Sequence, residues 1–317
     1  MGSPLGRSAG AALLVLAFAS LPACGRDLPD HVERATKIEV ATLDPPPGAL
    51  TLPVENGSVR FAVIGDSGRG DTSQHEVARQ MSAWRATFPF DFVLMLGDNI
   101  YDRHTPADYV RKFEEPYRPL LESGVTFYAA IGNHDDPGQV NYERFNMRGE
   151  RYYTFRKAEQ RLEGLAGAGV RFFALDSRSF DPGQLDWVRR ELKSSGSAWK
   201  ICFFHHPLYT SGRYQAGART LRQGIESILV EGDVDVVLTG HEHFYERLHP
   251  QHGIAHFISG AAGSLRRGDL RQTRLTARGF DTDHSFLMME VSGDRLFFQA
   301  VSRTGETIDA GVITRRR

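Results

Sequence analysis

The sequence is poor in cysteine, in long apolar runs and in net charge, and each shortage excludes a class of protein. Its 317 residues contain two cysteines, Cys24 and Cys202, which are too few for a disulfide-stabilised scaffold. The apolar run at 11–21 is too short to cross a bilayer as a helix. A formal net charge of −1 gives no electrostatic basis for wholesale binding to nucleic acid. With 41% hydrophobic residues, the chain has the composition of a protein with a large buried core.

The first residues are typical of a bacterial export signal. Arg7 precedes the apolar run, and LPAC at 21–24 follows it. This ending resembles a lipobox, in which the cysteine receives lipid and becomes the new N-terminus. We therefore predict a signal peptide at 1–23, followed by a lipid anchor and a proline-rich tether at 24–57. The predicted location is the bacterial cell envelope, on the outer membrane or periplasmic side, with membrane contact through the lipid only. Ordinary secretion with cleavage after Ala23 is the alternative.

Residues 58–317 are predicted to form one domain in which strands alternate with helices. Thr105-Pro106 and Asp181-Pro182 each place a capping residue before a proline at the first helical position. Ser73–Glu76 has the pattern of a capping box. Hydrophobic patterning predicts helices at 184–192 and 221–229 and strands at 254–259, 285–291 and 295–301. This order predicts an α/β fold of two packed sheets flanked by helices.

Five short blocks rich in Asp, Asn and His each follow a predicted strand. They are GDSG at 65–68 after 59–64, GDNIY at 97–101 after 92–96, GNHD at 132–135 after 125–131, HHP at 205–207 after 199–204, and GHEH at 240–243 after 234–239. Side chains at the carboxyl ends of successive strands converge at one edge of an open α/β sheet. A single block of this kind arises often by chance, but five in succession predict a shared site.

The side chains of these blocks have the chemistry of a two-metal site. The candidate ligands are oxygen and imidazole donors, namely Asp66, Asp98, Asn133, His205, His241 and His243. Such donors suit Fe, Zn or Mn, whereas copper–thiolate and iron–sulfur centres require cysteine. Asp98 is the best candidate for a carboxylate that bridges two ions, because it is central in the order and directly follows an apolar strand. Two ions about 3.5–4 Å apart would hold a phosphate and generate hydroxide from a bound water.

The blocks resemble those of the metallophosphoesterase (calcineurin-like) superfamily, and within it the small, single-domain purple acid phosphatases. The resemblance runs from about Arg60 to about Gly263 and implies a four-layer α/β/β/α sandwich for the catalytic domain at 58–317. Most members of the superfamily carry a histidine where this chain has Gly68. Tyr101 can replace it as a phenolate ligand, as the corresponding tyrosine does in purple acid phosphatases.

Carried over residue by residue, the resemblance implies two sites that share one carboxylate. The Fe(III) site would consist of Asp66, Asp98, Tyr101 and His243. The site for a divalent ion, Fe, Zn or Mn, would consist of Asp98, Asn133, His205 and His241.

Three further residues of the blocks are candidates beside the metals. The resemblance places His134 next to the substrate, where it would contact the phosphate or protonate the leaving group, so that His134 and Asp98 are the predicted catalytic residues. His206 corresponds to a variable position that can face the substrate. Asp135 is also a candidate for substrate contact. It either orients His134 or caps its own loop, and the sequence leaves these roles open.

The resemblance implies a dimetal acid phosphatase that hydrolyses phosphate monoesters through a metal-activated hydroxide. Its partners would be phosphorylated small molecules or phosphoproteins. A phosphodiesterase or nucleotidase of the same superfamily is the first alternative, since it would use the same metals. A non-catalytic phosphate-binding envelope lipoprotein is the second, and the presence of all seven ligands and His134 disfavours it.

Overall fold

A computed structural model describes residues 1–2, 37–46, 48–158, 169–196 and 198–316. The predicted signal peptide beyond residue 2 and the predicted lipid site at Cys24 lie outside the described residues. The strands are β1 (Ile38–Leu43), β2 (Val59–Ile64), β3 (Phe92–Met95), β4 (Thr126–Ala129), β5 (Tyr153–Lys157), β6 (Val170–Ala174), β7 (Trp199–Phe204), β8 (Val236–Thr239), β9 (Tyr245–Leu248), β10 (Ala255–Ser259), β11 (Thr276–Phe280), β12 (Ser285–Ser292), β13 (Arg295–Ser302) and β14 (Thr307–Arg315).

The helices lie mostly between the parallel strands. They are α1 (Thr72–Arg85), α2 (Pro106–Tyr109), α3 (Arg118–Glu122), α4 (Pro182–Lys193) and α5 (Gln215–Glu231), with a π-helical turn at Val110–Glu114 and 3₁₀ turns at Pro137–Asn141 and Glu143–Phe145. The predicted caps at Thr105 and Asp181 are confirmed, since each side chain accepts a backbone N–H of its helix. Among the helices of the described ranges, none has the length and apolar character needed to cross a membrane.

Two seven-stranded sheets carry the predicted blocks. Sheet A has the order β1-β14-β13-β12-β2-β3-β4, and sheet B has the order β11-β9-β10-β8-β7-β6-β5. In sheet A, β2, β3 and β4 run parallel; in sheet B, β6, β7 and β8 do so. Parallel neighbours end at the same edge of their sheet, so the loops after these strands lie together.

Three buried cores separate four layers. Between the sheets, Phe61 of β2 meets Phe172 of β6 with ring centroids 5.3 Å apart. The outer face of sheet A packs against α1 around Met81, and the outer face of sheet B packs against α4 around Val188. Phe61 and Ala62 lie in different cores, because successive side chains of a strand point to opposite faces. The predicted four-layer α/β/β/α sandwich is confirmed.

Two local predictions are wrong. Residues 38–43, within the predicted tether, form the edge strand β1, which pairs antiparallel with β14 from Ile38 opposite Arg315 to Leu43 opposite Ala310. The folded part of the chain therefore begins before Ser58. The cap of α1 is Asp71, whose side chain accepts the N–H of Gln74, so the helix starts one residue before Ser73.

Candidate metal centre

The loops that follow the parallel strands turn sharply at three of the predicted ligands. Asp66, Asp98 and His241 have φ angles of 55°, 51° and 68°. A side chain other than glycine rarely adopts this left-handed backbone, and such positions concentrate at functional sites. Gly132 leaves room for this arrangement, because a Cβ atom there would collide with the Asp98 carboxylate.

A first cluster of donors forms around Asp66, Tyr101 and His243. Oδ1 of Asp66 lies 3.2 Å from the Tyr101 hydroxyl and 3.2 Å from Nε2 of His243. The Tyr101 hydroxyl lies 3.3 Å from the same Nε2. All three side chains are buried. The structure thus brings together the residues that the sequence assigned to the Fe(III) site.

A second cluster forms around His205. Its Nδ1 lies 3.0 Å from the carbonyl oxygen of Leu96, which can only accept, so Nδ1 carries the proton and Nε2 offers a lone pair. This Nε2 is 3.0 Å from Oδ1 of Asn133 and 3.1 Å from Nδ1 of His241. A cation between these atoms would satisfy the two facing acceptors of His205 and Asn133, and the proton on the distal nitrogen of a ligating histidine is the usual arrangement.

Asp98 joins the two clusters. Its Oδ1 lies 3.4 Å from Nε2 of His205 in the second cluster. Asp66, Asp98 and His243 also offer ligand atoms within 4.8 Å of one another in the first. The backbone N–H of His134 donates to Oδ1 of Asp98 over 2.9 Å and fixes the carboxylate between the clusters. Asp98 therefore occupies the position that a bridging ligand requires.

The electrostatics of the centre fit a pair of metal ions. Burial raises the pKa of Asp66 to about 7, although His205 acts in the opposite direction. Burial also acts on Asp98, but the charge of His205 in its protonated form and the N–H of His134 outweigh it and hold the pKa of Asp98 below its usual value. Burial, with neighbouring cationic groups, lowers the pKa of His241 to about 2 and of His243 to about 3. Neutral imidazoles and converging carboxyl oxygens are the donor set of Fe, Zn or Mn.

The comparison with protein families agrees with this geometry. The calcineurin-like phosphoesterase family matches residues 59–245, from β2 to the start of β9. The chain belongs to this family. Purple acid phosphatase 17 of Arabidopsis thaliana is 28% identical over 250 residues, which cover 70% of this chain and 74% of that protein. Tartrate-resistant acid phosphatase type 5 of Mus musculus is 23% identical over 300 residues, which cover 82% of this chain and 91% of that protein.

Solved structures share the sandwich at low sequence identity. GAP50, the anchor in the inner membrane complex of Plasmodium, is similar with a TM-score of 0.69 at 18% identity, over 82% of this chain and 90% of that chain. The purple acid phosphatase PPD1 from yellow lupin seeds is similar with a TM-score of 0.66 at 18% identity, over 86% of this chain and 55% of that chain. These likenesses establish the phosphoesterase fold, and the sequence relatives are purple acid phosphatases.

In this phosphoesterase, His134 lies at the open side of the centre. Its side chain is exposed, and its ring packs on that of Tyr101 at an interplanar angle of 45°, with centroids 4.9 Å apart. Its backbone N–H is the donor that holds Asp98. His134 is in neither group of candidate ligand atoms, and its place beside the substrate stays a prediction.

Asp135 is a loop-capping carboxylate. Its two oxygens accept the backbone N–H groups of Asn99, Ile100 and Gly132 at 2.8–3.0 Å, and it is buried. These bonds tie the loop after β3 to the loop after β4. These contacts favour loop capping over orientation of the His134 ring, and a contact of Asp135 with substrate stays a prediction.

His206 lies within the second cluster. Its ring packs on that of His241 with centroids 4.5 Å apart, and its ligand atom is within 4.8 Å of those of His205 and His241. Ser177 holds it, with Oγ 2.9 Å from both Nδ1 and the backbone N of His206. The sequence analysis missed Ser177, although it follows the apolar run VRFFA at 170–174 in the same way as the five blocks follow theirs.

A buried lysine supports the loop that carries Tyr101. The Lys112 ammonium donates to the carbonyl oxygens of Tyr101 and, over 3.1 Å, of Arg103, and it forms an ion pair with Asp108 at 3.2 Å. Its side chain is 1% exposed. Nothing in the spacing of Lys112 predicted this contact, because the π-helical turn at Val110–Glu114 aims the side chain under the loop.

Proposed function

We propose that this chain is an acid phosphatase with two metal ions that hydrolyses phosphate monoesters of small molecules or phosphoproteins. The observation that carries the proposal is the position of Asp98 between two complete sets of oxygen and imidazole donors. Purple acid phosphatases among the sequence relatives support the same reaction. An acidic optimum is expected, since a trivalent ion acidifies bound water more than a divalent one.

The two ions would be held by the residues of the two clusters. Fe(III) is the proposed ion beside Tyr101, and Fe, Zn or Mn is proposed beside His205. When bound, the metals supply positive charge to the phosphoryl oxygens and lower the pKa of a bound water. Asp98 fixes both halves of the centre, and His134, exposed at its open side, donates a proton to the leaving alcohol oxygen.

The reaction is tested by comparing an aryl phosphate with the matching diester across pH. We expect a clearly higher kcat/KM for the monoester, with an optimum below neutral pH, because kcat/KM measures discrimination between competing substrates. A higher kcat/KM for the diester or an alkaline optimum would favour a phosphodiesterase. Absence of hydrolysis of either ester by metal-loaded protein would favour a non-catalytic phosphate-binding role.

The Tyr101→Phe variant should lose the visible colour of the iron-loaded protein. The Tyr101 hydroxyl lies 3.2 Å from Asp66 and 3.3 Å from His243, where an ion held by both would also meet the phenolate. We expect purified wild-type protein to contain two metals per chain and to absorb visible light through the tyrosinate–iron pair. The measurement is a spectrum with elemental analysis after growth with ample iron. A colourless wild type with two zinc or manganese ions would contradict the proposed Fe(III) site.

We also propose that lipid on Cys24 anchors the chain in the bacterial cell envelope. Cys24→Ser should release the protein from the membrane fraction, because the lipid is the proposed membrane contact. The matched control is Cys202→Ala, since Cys202 is buried in β7 and out of reach of a modifying enzyme. Membrane fractionation and the mass of the N-terminal peptide check the proposal. An unlipidated wild-type peptide would leave ordinary secretion as the better account.

A further inference from the structure

Two arginines flank the candidate centre, one beside each cluster. Arg69 follows the block that carries Asp66, and its guanidinium carbon lies 3.6 Å from the centroid of the Tyr101 ring. Its Nε donates to the hydroxyl of Ser264 over 2.8 Å. This contact and the ring fix the guanidinium next to the first cluster, while the side chain is only half-buried.

Arg266 occupies the corresponding place beside the second cluster. Its guanidinium carbon lies 5.4 Å from the centroid of the Tyr214 ring, and that ring packs on His241 with centroids 4.3 Å apart. The backbone N–H of Arg266 donates to the carbonyl oxygen of His243 over 3.1 Å, which ties the arginine to the loop of the ligands. Arg266 is half-buried as well.

Neither guanidinium forms a close ion pair among the described residues, although the charge of Arg266 acts on the buried Glu242. Within the part of the chain that the structure describes, the ion pairs include no carboxylate partner of Arg69 or Arg266. Nearby Arg213, in contrast, lies 2.6 Å from Asp269. Each guanidinium is thus held beside the centre by an aromatic ring, with no carboxylate of the described residues at ion-pair distance.

We propose that Arg69 and Arg266 are specificity-determining residues that bind a second phosphate group of the substrate. The inference rests on the proposed phosphatase function and adds the substrate class, which is a diphosphate with a terminal phosphoryl group at the centre. Guanidinium groups match phosphate oxygens with paired N–H donors, and such charge-assisted bonds are strong. In hydrolysis, the bond between the terminal phosphorus and the bridging oxygen breaks, water supplies the new oxygen, and its protons remain on the two phosphate products.

The first experiment compares kcat/KM for inorganic pyrophosphate with kcat/KM for an aryl phosphate. The variants are Arg69→Gln, Arg266→Gln and the double variant, and Arg213→Gln is the matched control. The ratio of the two kcat/KM values should fall roughly tenfold or more for each single variant, the size expected for a lost charged hydrogen bond. Damage to the centre common to both substrates cancels in this ratio. An unchanged ratio, or an equal fall in the control, overturns the proposal.

The second experiment measures binding without hydrolysis. It therefore tests the second-phosphate site independently of the phosphatase activity. Calorimetry on the metal-loaded protein should show tighter binding of methylenediphosphonate than of methylphosphonate, and Arg69→Gln with Arg266→Gln should remove the difference. If the wild type hydrolyses neither ester nor pyrophosphate but shows this difference, the proposed phosphatase function fails and the second-phosphate site stands. Equal binding of the two phosphonates in the wild type overturns the second-phosphate site whatever the activity.

Discussion

The Asp98→Ala variant should lose almost all phosphatase activity and much of its bound metal. The Asp98 carboxylate lies between the two clusters, with Oδ1 3.4 Å from Nε2 of His205 and with Asp66 and His243 within reach. The charge that two metals place on a phosphoryl group contributes several kcal/mol to the transition state, so a fall in kcat/KM of roughly a thousandfold or more is expected. Activity and elemental analysis of the purified variant measure the two losses.

Two further variants separate chemistry from folding in this experiment. Asp98→Asn keeps an oxygen that accepts the N–H of His134 and tolerates the left-handed backbone, so it should fold while its metal affinity falls. Asp136→Ala is the matched control, because Asp136 is exposed and its side chain accepts the N–H of Gly138. If Asp98→Asn retained two metals and full activity, the bridging role of Asp98 would be wrong.

His134→Ala should lower kcat by roughly a hundredfold to ten-thousandfold, the usual contribution of a positioned general acid. The metal content should hardly change, because the ring of His134 is exposed and only packs against Tyr101. The contact with Asp98 is made by the backbone N–H of residue 134, which alanine retains. The loss should be greater for alkyl phosphates than for activated aryl phosphates, whose leaving oxygens need less help from a proton.

A comparison of the two leaving groups in wild type and variant checks the role of His134. An equal loss for both would assign the ring to phosphate contact instead of proton donation. An empty metal site in His134→Ala would refute both roles, and a kcat change would then report the missing ion.

The buried strands of the centre could be predicted from sequence because their apolar runs are continuous. β2 and β7 have the predicted bounds, Val59–Ile64 and Trp199–Phe204, and the sandwich follows from their alternation with helices. β1 and β5 could not be predicted in the same way. Their exposed or half-buried residues alternate weakly, and each becomes a strand through pairing with a distant partner, β14 or β6.

The residues of the candidate centre also include some that the sequence could predict and some that it could not. The seven predicted ligands lie in the loops that follow strands, so the sheet edge brings these loops together. Arg69, Tyr214 and Arg266 lie in loops whose paths depend on tertiary packing, and their sequence spacing gives no sign that they meet the ligands. For Asp135 the sequence left orientation of His134 and loop capping open. Three backbone N–H donors, which no sequence pattern identifies, favour loop capping.

The left-handed backbone at Asp66, Asp98 and His241 restricts how this centre can change over evolution. Asparagine and glycine are the residues that adopt such a conformation most readily, so they are the replacements that preserve the loops. The codons of aspartate and histidine each differ from those of asparagine by a single base. Lineages that give up metal binding while keeping the sandwich should therefore carry asparagine or glycine at these three positions, which makes the residue found there a marker of whether a relative still performs the chemistry.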